Sequence, residues 1–145
     1  MLGLTLDYLV RHTPEELDST CFVEIGPGPY SRKHWQPGFT FVPDDAFAFA
    51  QGIVSYHFPA YDPYAMNELP AETASAIAVE LRAALQYLTS VESAIEALRL
   101  GSYRTTWFRS ELRGNRDEIR EMLSQIASAL ERSAQGAESV CVLGM

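Results

Sequence analysis

The chain has 145 residues, of which 47% are apolar and 21% charged, and a net charge of −8. That balance fits one globular domain able to bury roughly 68–70% of its unfolded surface, and no run approaches the roughly 20 apolar residues of a membrane helix. The charge is uneven, with 13 acids and 4 bases over residues 1–98 and 6 acids and 7 bases over residues 99–145; such an acidic bulk disfavours direct contact with nucleic acid and favours a basic protein partner.

The opening stretch MLGLTLDYLVRHTPEELD has no basic leader and carries Asp7 inside its apolar run. No secretory signal is expected, and the cytoplasm is the expected location. Leu2, Leu4 and Leu6 alternate with Gly3, Thr5 and Asp7, the period of a strand over residues 2–10, while Leu6, Leu9 and Val10 also fit a helical turn. Thr13 followed by Pro14 predicts a short helical turn capped by Thr13. Cys21–Ile25 is β-branched and aromatic, which predicts a strand closed by Gly26. The following Gly26-Pro27-Gly28-Pro29 is a stiff turn and not a phosphate loop. Pro27 and Pro29 have no N–H to offer an anion, and no Lys-Ser or Lys-Thr follows. Cys21 and Cys141 both sit in apolar runs and are expected to be buried thiols. Without a histidine nearby they make no zinc site.

Phe39–Val42 predicts a second strand, ended by Pro43. Asp44 or Asp45 then caps a helix running to about His57, whose apolar positions cover more than one face and predict burial or cover by a partner. Residues 59–67 read as a loop. Pro70 opens a helix to about Leu88, with Ile77, Leu81, Leu85 and Leu88 on one face. Ser90 caps a third helix with Val91, Ile95 and Leu98 inward, closed by Gly101. Residues 102–114 mix Trp107 and Phe108, which favour burial, with Arg104, Arg109 and Arg113, which favour water, and predict no one element. Asn115 with Glu118 forms a capping box for a helix carrying Ile119, Met122, Leu123, Ile126 and Leu130, stopped by Gly136. Val140–Leu143 predicts a terminal strand beside residues 21–25. The sum is an α+β fold: a single compact domain over residues 1–145, with a small sheet of three to four short strands packed against about four helices.

Ten of the sixteen aromatic residues lie between Tyr30 and Tyr64, and from residue 34 to residue 81 there is no Lys or Arg. Such a stretch is either a core in an acidic shell or a surface built to meet a basic partner. Trp35, Tyr56, Tyr61 and Tyr64 are candidate interface anchors, because Tyr and Trp bury much area and keep a polar handle. Asp62, Glu68 and Glu72 would supply the charge. The competing reading is a core whose tyrosine hydroxyls reach water. Asp44-Asp45 fits a helix cap better than a hard-cation site.

Catalytic signals are sparse. His12, His34 and His57 have no helical metal spacing, and neither HExxH nor G-x-S-x-G occurs. No cofactor, metal or catalytic residue is expected. The alternative function is a small hydrolase or ligand-binding domain using His57, Asp62 and Glu68, which requires the three to converge within roughly 3 Å of a common atom or water. The arginines of residues 104–120 interleave with acids and read as a solvated helix face, not a nucleic-acid patch. A third reading is a homo-oligomer with the Ile119–Leu130 face as its seam.

The stretch FTFVPDDAFAFAQGIVSYHFPAYDPYAMNELPAETASAIAVELRAAL and the terminal VCVLGM carry a resemblance. The layout is an aromatic helix, a loop with Tyr61, Asp62 and Tyr64, and Asn-Glu-Leu-Pro opening a long amphipathic helix. It resembles bacterial immunity proteins of polymorphic-toxin and contact-dependent growth inhibition systems, over residues 39–88 and the last six. The resemblance implies a small cytosolic protein that neutralises a cognate toxin by binding it, without catalysis. Many such toxins are nucleases with basic clefts, which an acidic protein with aromatic anchors can occlude. It carries over no named binding residue.

Overall fold

The computed structural model describes residues 7–101 and 104–144. The chain forms four strands, β1 (Phe22–Pro27), β2 (Thr40–Pro43), β3 (Met66–Pro70) and β4 (Ser139–Leu143). They form one antiparallel sheet in the order β2-β1-β4-β3. The terminal strand β4 lies beside β1, as expected, and β3 completes the far edge. Five helices accompany the sheet: α1 (Ala48–His57), α2 (Ala71–Leu85), α3 (Val91–Ala97), α4 (Thr105–Gly114) and α5 (Arg116–Ala134). Helices α2 and α5 pack on each other, α5 lies against β1, β2 and β4, and α1 leans on α2. The fold is α+β. No described helix is long and apolar enough to cross a membrane.

Strand periodicity divides the side chains between two faces. Val23, Ile25, Val42, Leu69, Val140 and Val142 join the helices in the main core, with Ile77, Leu81, Ile119, Leu123 and Ile126. The opposite phase of the same strands supplies Phe22, Phe41, Cys141 and Leu143, which form a second cluster with Phe39 under the partly buried Leu17, Tyr30 and Trp35. Burial on both faces explains why Phe22–Ile25 and Val140–Leu143 read as nearly unbroken apolar runs. Phe49 of α1 anchors the helix side, its ring 5.4 Å from Trp107, 5.0 Å from Phe108 and 6.0 Å from Tyr8. Gly52 allows the chain after α3 to approach α1, since a Cβ there would run into the carbonyl oxygens of Leu98 and Arg99.

Several expectations are corrected. Residues 66–70 form a strand, not the end of a loop and a helix opening: Asn67 and Leu69 are buried and their neighbours exposed. The buried polar Asn67 disguised that alternation. Helix α1 begins at Ala48, and Asp44 and Asp45 do not cap it, because backbone carbonyls of Pro43, Asp45 and Ala46 accept the first N–H groups. Asn115 makes no capping box; its amide donates to Glu111 Oε1 at 3.2 Å. The Ile119–Leu130 face is spent in the main core and leaves no seam for a second copy. Cys21 is exposed, while Cys141 is buried and its thiol is pushed up to about 11 by burial and by Glu68 and Glu24. The strand expected over residues 2–10 lies partly outside the described residues, and residues 7–10 are not strand. Arg11 instead exchanges two backbone hydrogen bonds of 2.8 Å with Phe41, which covers the outer edge of β2. Residues 102 and 103 are outside the described residues; Thr105–Gly114 is helical, with Phe108 and Leu112 inward.

Ser90 does cap α3, its hydroxyl accepting from the Ser93 N–H at 3.1 Å. Glu16 Oε1 accepts from both the N–H and the hydroxyl of Thr13 at the 3₁₀ turn Pro14–Glu16.

Candidate partner-binding surface

Among the described residues β3 pairs with β4 alone, so its other side is a free sheet edge. Free edges invite unwanted strand pairing, and acids or proline on them discourage it. Here Met66, Glu68 and Pro70 alternate outward. The inward Asn67 fixes the preceding loop. Its Nδ2 donates to the carbonyls of Asp62, Ala65 and Val142 at 2.8, 3.1 and 3.1 Å, and its Oδ1 accepts from the Asp62 N–H at 2.9 Å. The Asp62 carboxylate in turn accepts from the Tyr64 N–H at 2.8 Å, an Asx turn. Held this way, Tyr64 stands 80% exposed. Glu72 lies exposed in the first turn of α2, where the helix dipole favours an acid. Asp62, Tyr64, Met66, Glu68 and Glu72 thus occupy the loop, strand and helix start that make this edge.

The other sequence candidates are placed differently. Tyr61 is 9% exposed, with its ring 6.4 Å from that of Phe47, so it is a core residue and not an exposed anchor. Its hydroxyl is buried without a hydrogen-bond partner among the described residues, a state that costs about 1–3 kcal/mol. Tyr56 is exposed, but the Arg99 guanidinium covers its ring at 3.5 Å. Arg99 Nε also donates to Glu80 Oε2 at 2.5 Å, and His57 Nε2 lies 2.9 Å from Glu80 Oε1. Tyr56 and His57 therefore belong to a cluster on α1 and α2. Trp35 is half-buried beneath the sheet's helix-free face, its ring 6.1 Å from that of Phe41.

The alternative catalytic set does not assemble. His57 faces Glu80, Asp62 holds the Tyr64 N–H, and Glu68 accepts the Tyr30 N–H at 2.5 Å. The strand carries Glu68 to the sheet edge, while His57 ends a helix that leans on α2. Among the described residues no three His, Cys, Asp or Glu side chains gather in a way that could hold a metal ion.

Sequence reasoning missed Glu24 and His34. Glu24 is 2% exposed in β1; its Oε2 lies 2.5 Å from His34 Nδ1 and its Oε1 accepts the Trp35 N–H at 2.7 Å. Together with Glu68, it ties the loop between β1 and β2 across the sheet. The signal was present as the one acid inside the run Phe22–Ile25, since a carboxylate at a buried strand position requires partners.

A cleft of about 330 Å³ opens beside Tyr64 and is lined by the start of α1 and by Arg99, Leu100, Gly101 and Arg104. Asp44, Asp45, Gln51, Ser55 and Tyr61 also line it.

In comparisons with known proteins, no family model, curated protein or solved structure matches the chain.

Proposed function

We propose that the chain is an immunity protein, one that binds and neutralises a basic bacterial toxin domain such as a nuclease through the β3 edge, without catalysis. The observation that carries this reading is the edge itself: Asp62, Glu68 and Glu72 are exposed beside Tyr64 and Met66 on a loop and strand fixed by Asn67. Fixing the loop in the free protein lowers the ordering cost of association. Exposed acids speed encounter with a basic partner, and a protruding tyrosine supplies buried area.

The test is co-expression with the product of the neighbouring gene, which this reading expects to carry a basic toxin domain. Rescue of growth is expected, with a one-to-one complex whose association slows as salt is added. Tyr64→Ala should weaken the complex about tenfold or more, and charge reversal at Glu72 should slow association while the fold is kept. Rescue by an unrelated chain and not by this one would sink the proposal.

A further inference from the structure

The outer edge of β3 offers backbone groups that no described residue uses. In an antiparallel pair, residues that exchange hydrogen bonds alternate with residues whose N–H and carbonyl point away from the neighbouring strand. The two ends of the β3–β4 ladder fix that phase. Gly144 N–H donates to the Ala65 carbonyl at 2.9 Å, and Ala71 N–H donates to the Glu138 carbonyl at 3.1 Å. Ala65, Asn67, Leu69 and Ala71 therefore face β4, and the N–H and carbonyl of both Met66 and Glu68 point outward. Among the described residues no backbone partner reaches these four groups. Pro70, next in the same phase, has no N–H, so the open run of donors ends there. The edge is also reachable: Met66 is 42% exposed, and Glu68 and Pro70 are exposed beside it. Unpaired N–H and carbonyl groups in a row are a template for another strand.

Charge decides which strand fits. A second copy would bring Asp62, Glu68 and Glu72 against the same acids, and like charges across a strand pair destabilise it. Glu68 Oε1 accepts the Tyr30 N–H, and its Oε2 takes no hydrogen bond among the described residues. A lysine or arginine opposite Glu68 can therefore pair with Oε2 without releasing the loop that Oε1 holds. We propose that β3 is extended by a strand of the basic partner. That strand bonds through its backbone to Met66 and Glu68 and sets a basic side chain opposite Glu68, with Asp62 and Glu72 flanking the paired run. Backbone bonds supply the affinity of such strand addition, and the alternate side chains supply its selectivity. The inference rests on the reading of the chain as a binder of a basic protein, and it names the form of that contact.

The probe is a capped heptapeptide of alternating lysine and valine, titrated into the full chain and followed by backbone amide shifts and hydrogen exchange. The control peptide has the same charge but is N-methylated at each lysine, which removes the N–H groups that would face β3. Saturable binding near about 1 mM is expected for the unmodified peptide alone, with exchange slowed at the Met66 and Glu68 amides. Met66→Pro deletes one outward N–H and leaves the bonds to β4 in place. It should weaken binding about tenfold, and Met66→Ala, which keeps that N–H, should bind more tightly than Met66→Pro. No saturation, equal binding of the N-methylated control, or freely exchanging Met66 and Glu68 amides in the peptide complex would overturn the inference. A dimer of the free chain that already protects those amides would overturn it too. The peptide needs no toxin, so these failures strike strand pairing alone and leave the side-chain surface of Tyr64 and Glu72. Failure of the chain to rescue growth, with the peptide still bound, would strike the immunity reading and leave the edge as a receptor for basic strands.

Discussion

The two faces of the sheet are held down by different physics. On the helix side, α1, α2 and α5 bury a continuous set of aliphatic and aromatic side chains, and the contribution scales with area removed from water. On the other side no α-helix of the described residues packs. A loop of irregular backbone, residues 28–39, adds Phe39 to four buried side chains of the sheet and is tied by Glu24 to His34 and Trp35 and by Glu68 to Tyr30. Even the glycines differ in use: Gly52 admits a backbone segment against α1, whereas Gly26 lets the Phe39 ring lie flat on β1. A face held by many weak contacts loses little with any one polar change, while a face held by a few charge-assisted hydrogen bonds depends on each of them.

The two tryptophans report on the faces separately, Trp107 packing against the helix-side core and Trp35 against the small cluster. The largest effect is expected from Phe49→Ala, which removes a fully buried ring from the helix side and should cost about 3–5 kcal/mol. Urea unfolding followed at either tryptophan should show it, and a loss below about 1 kcal/mol would contradict the weight given to that core. Glu24→Ala comes next, at about 2–3 kcal/mol for the lost bonds to a charged group. It should loosen Trp35 at lower urea than Trp107, read in single-tryptophan variants. Coincident transitions would erase the distinction between the faces. Asn67→Ala should cost about 1–3 kcal/mol by stranding the buried groups it joins, and should speed amide exchange at Asp62; unchanged exchange would mean that the loop is held by something else.

The smallest effect concerns pH. Burial works against the charge on Glu80, but the hydrogen bonds from Arg99 and His57 outweigh it and hold the carboxyl below its ordinary value of 4.5. An acid lowered in the folded state contributes stability above its unfolded value and loses it as the pH falls through the folded value. The native chain should therefore destabilise more steeply below pH 4.5 than Glu80→Gln does, by under about 1 kcal/mol because Arg99 and Glu80 are partly exposed. Superimposable profiles would show that the cluster contributes nothing.

Much of the α+β architecture was legible in the sequence because apolar periodicity is a local signal. The spacing of Ile77, Leu81 and Leu85 marked α2, and the run Val140–Leu143 marked a terminal strand and its place beside β1. The strand β3 was not legible, because Asn67 occupies a buried position that pattern reading treats as polar surface. The candidate surface was legible in part. Asp62, Tyr64, Glu68 and Glu72 fall on the exposed edge, but Tyr61, three residues from the most exposed tyrosine, turns into the core against Phe47.

By itself, the sequence determined the segments that must be buried and the one-sided charge of residues 34–81, because composition and period act without reference to the rest of the chain. Tertiary structure alone decided which polar groups found partners. Glu24 reaches His34, Asn67 reaches Val142 and Glu80 reaches Arg99 across 10, 75 and 19 positions. The Tyr61 hydroxyl meets none among the described residues. Hydrogen bonds and ion pairs depend on distances of a few ångströms between residues far apart in the chain, and those distances exist only once the chain has folded.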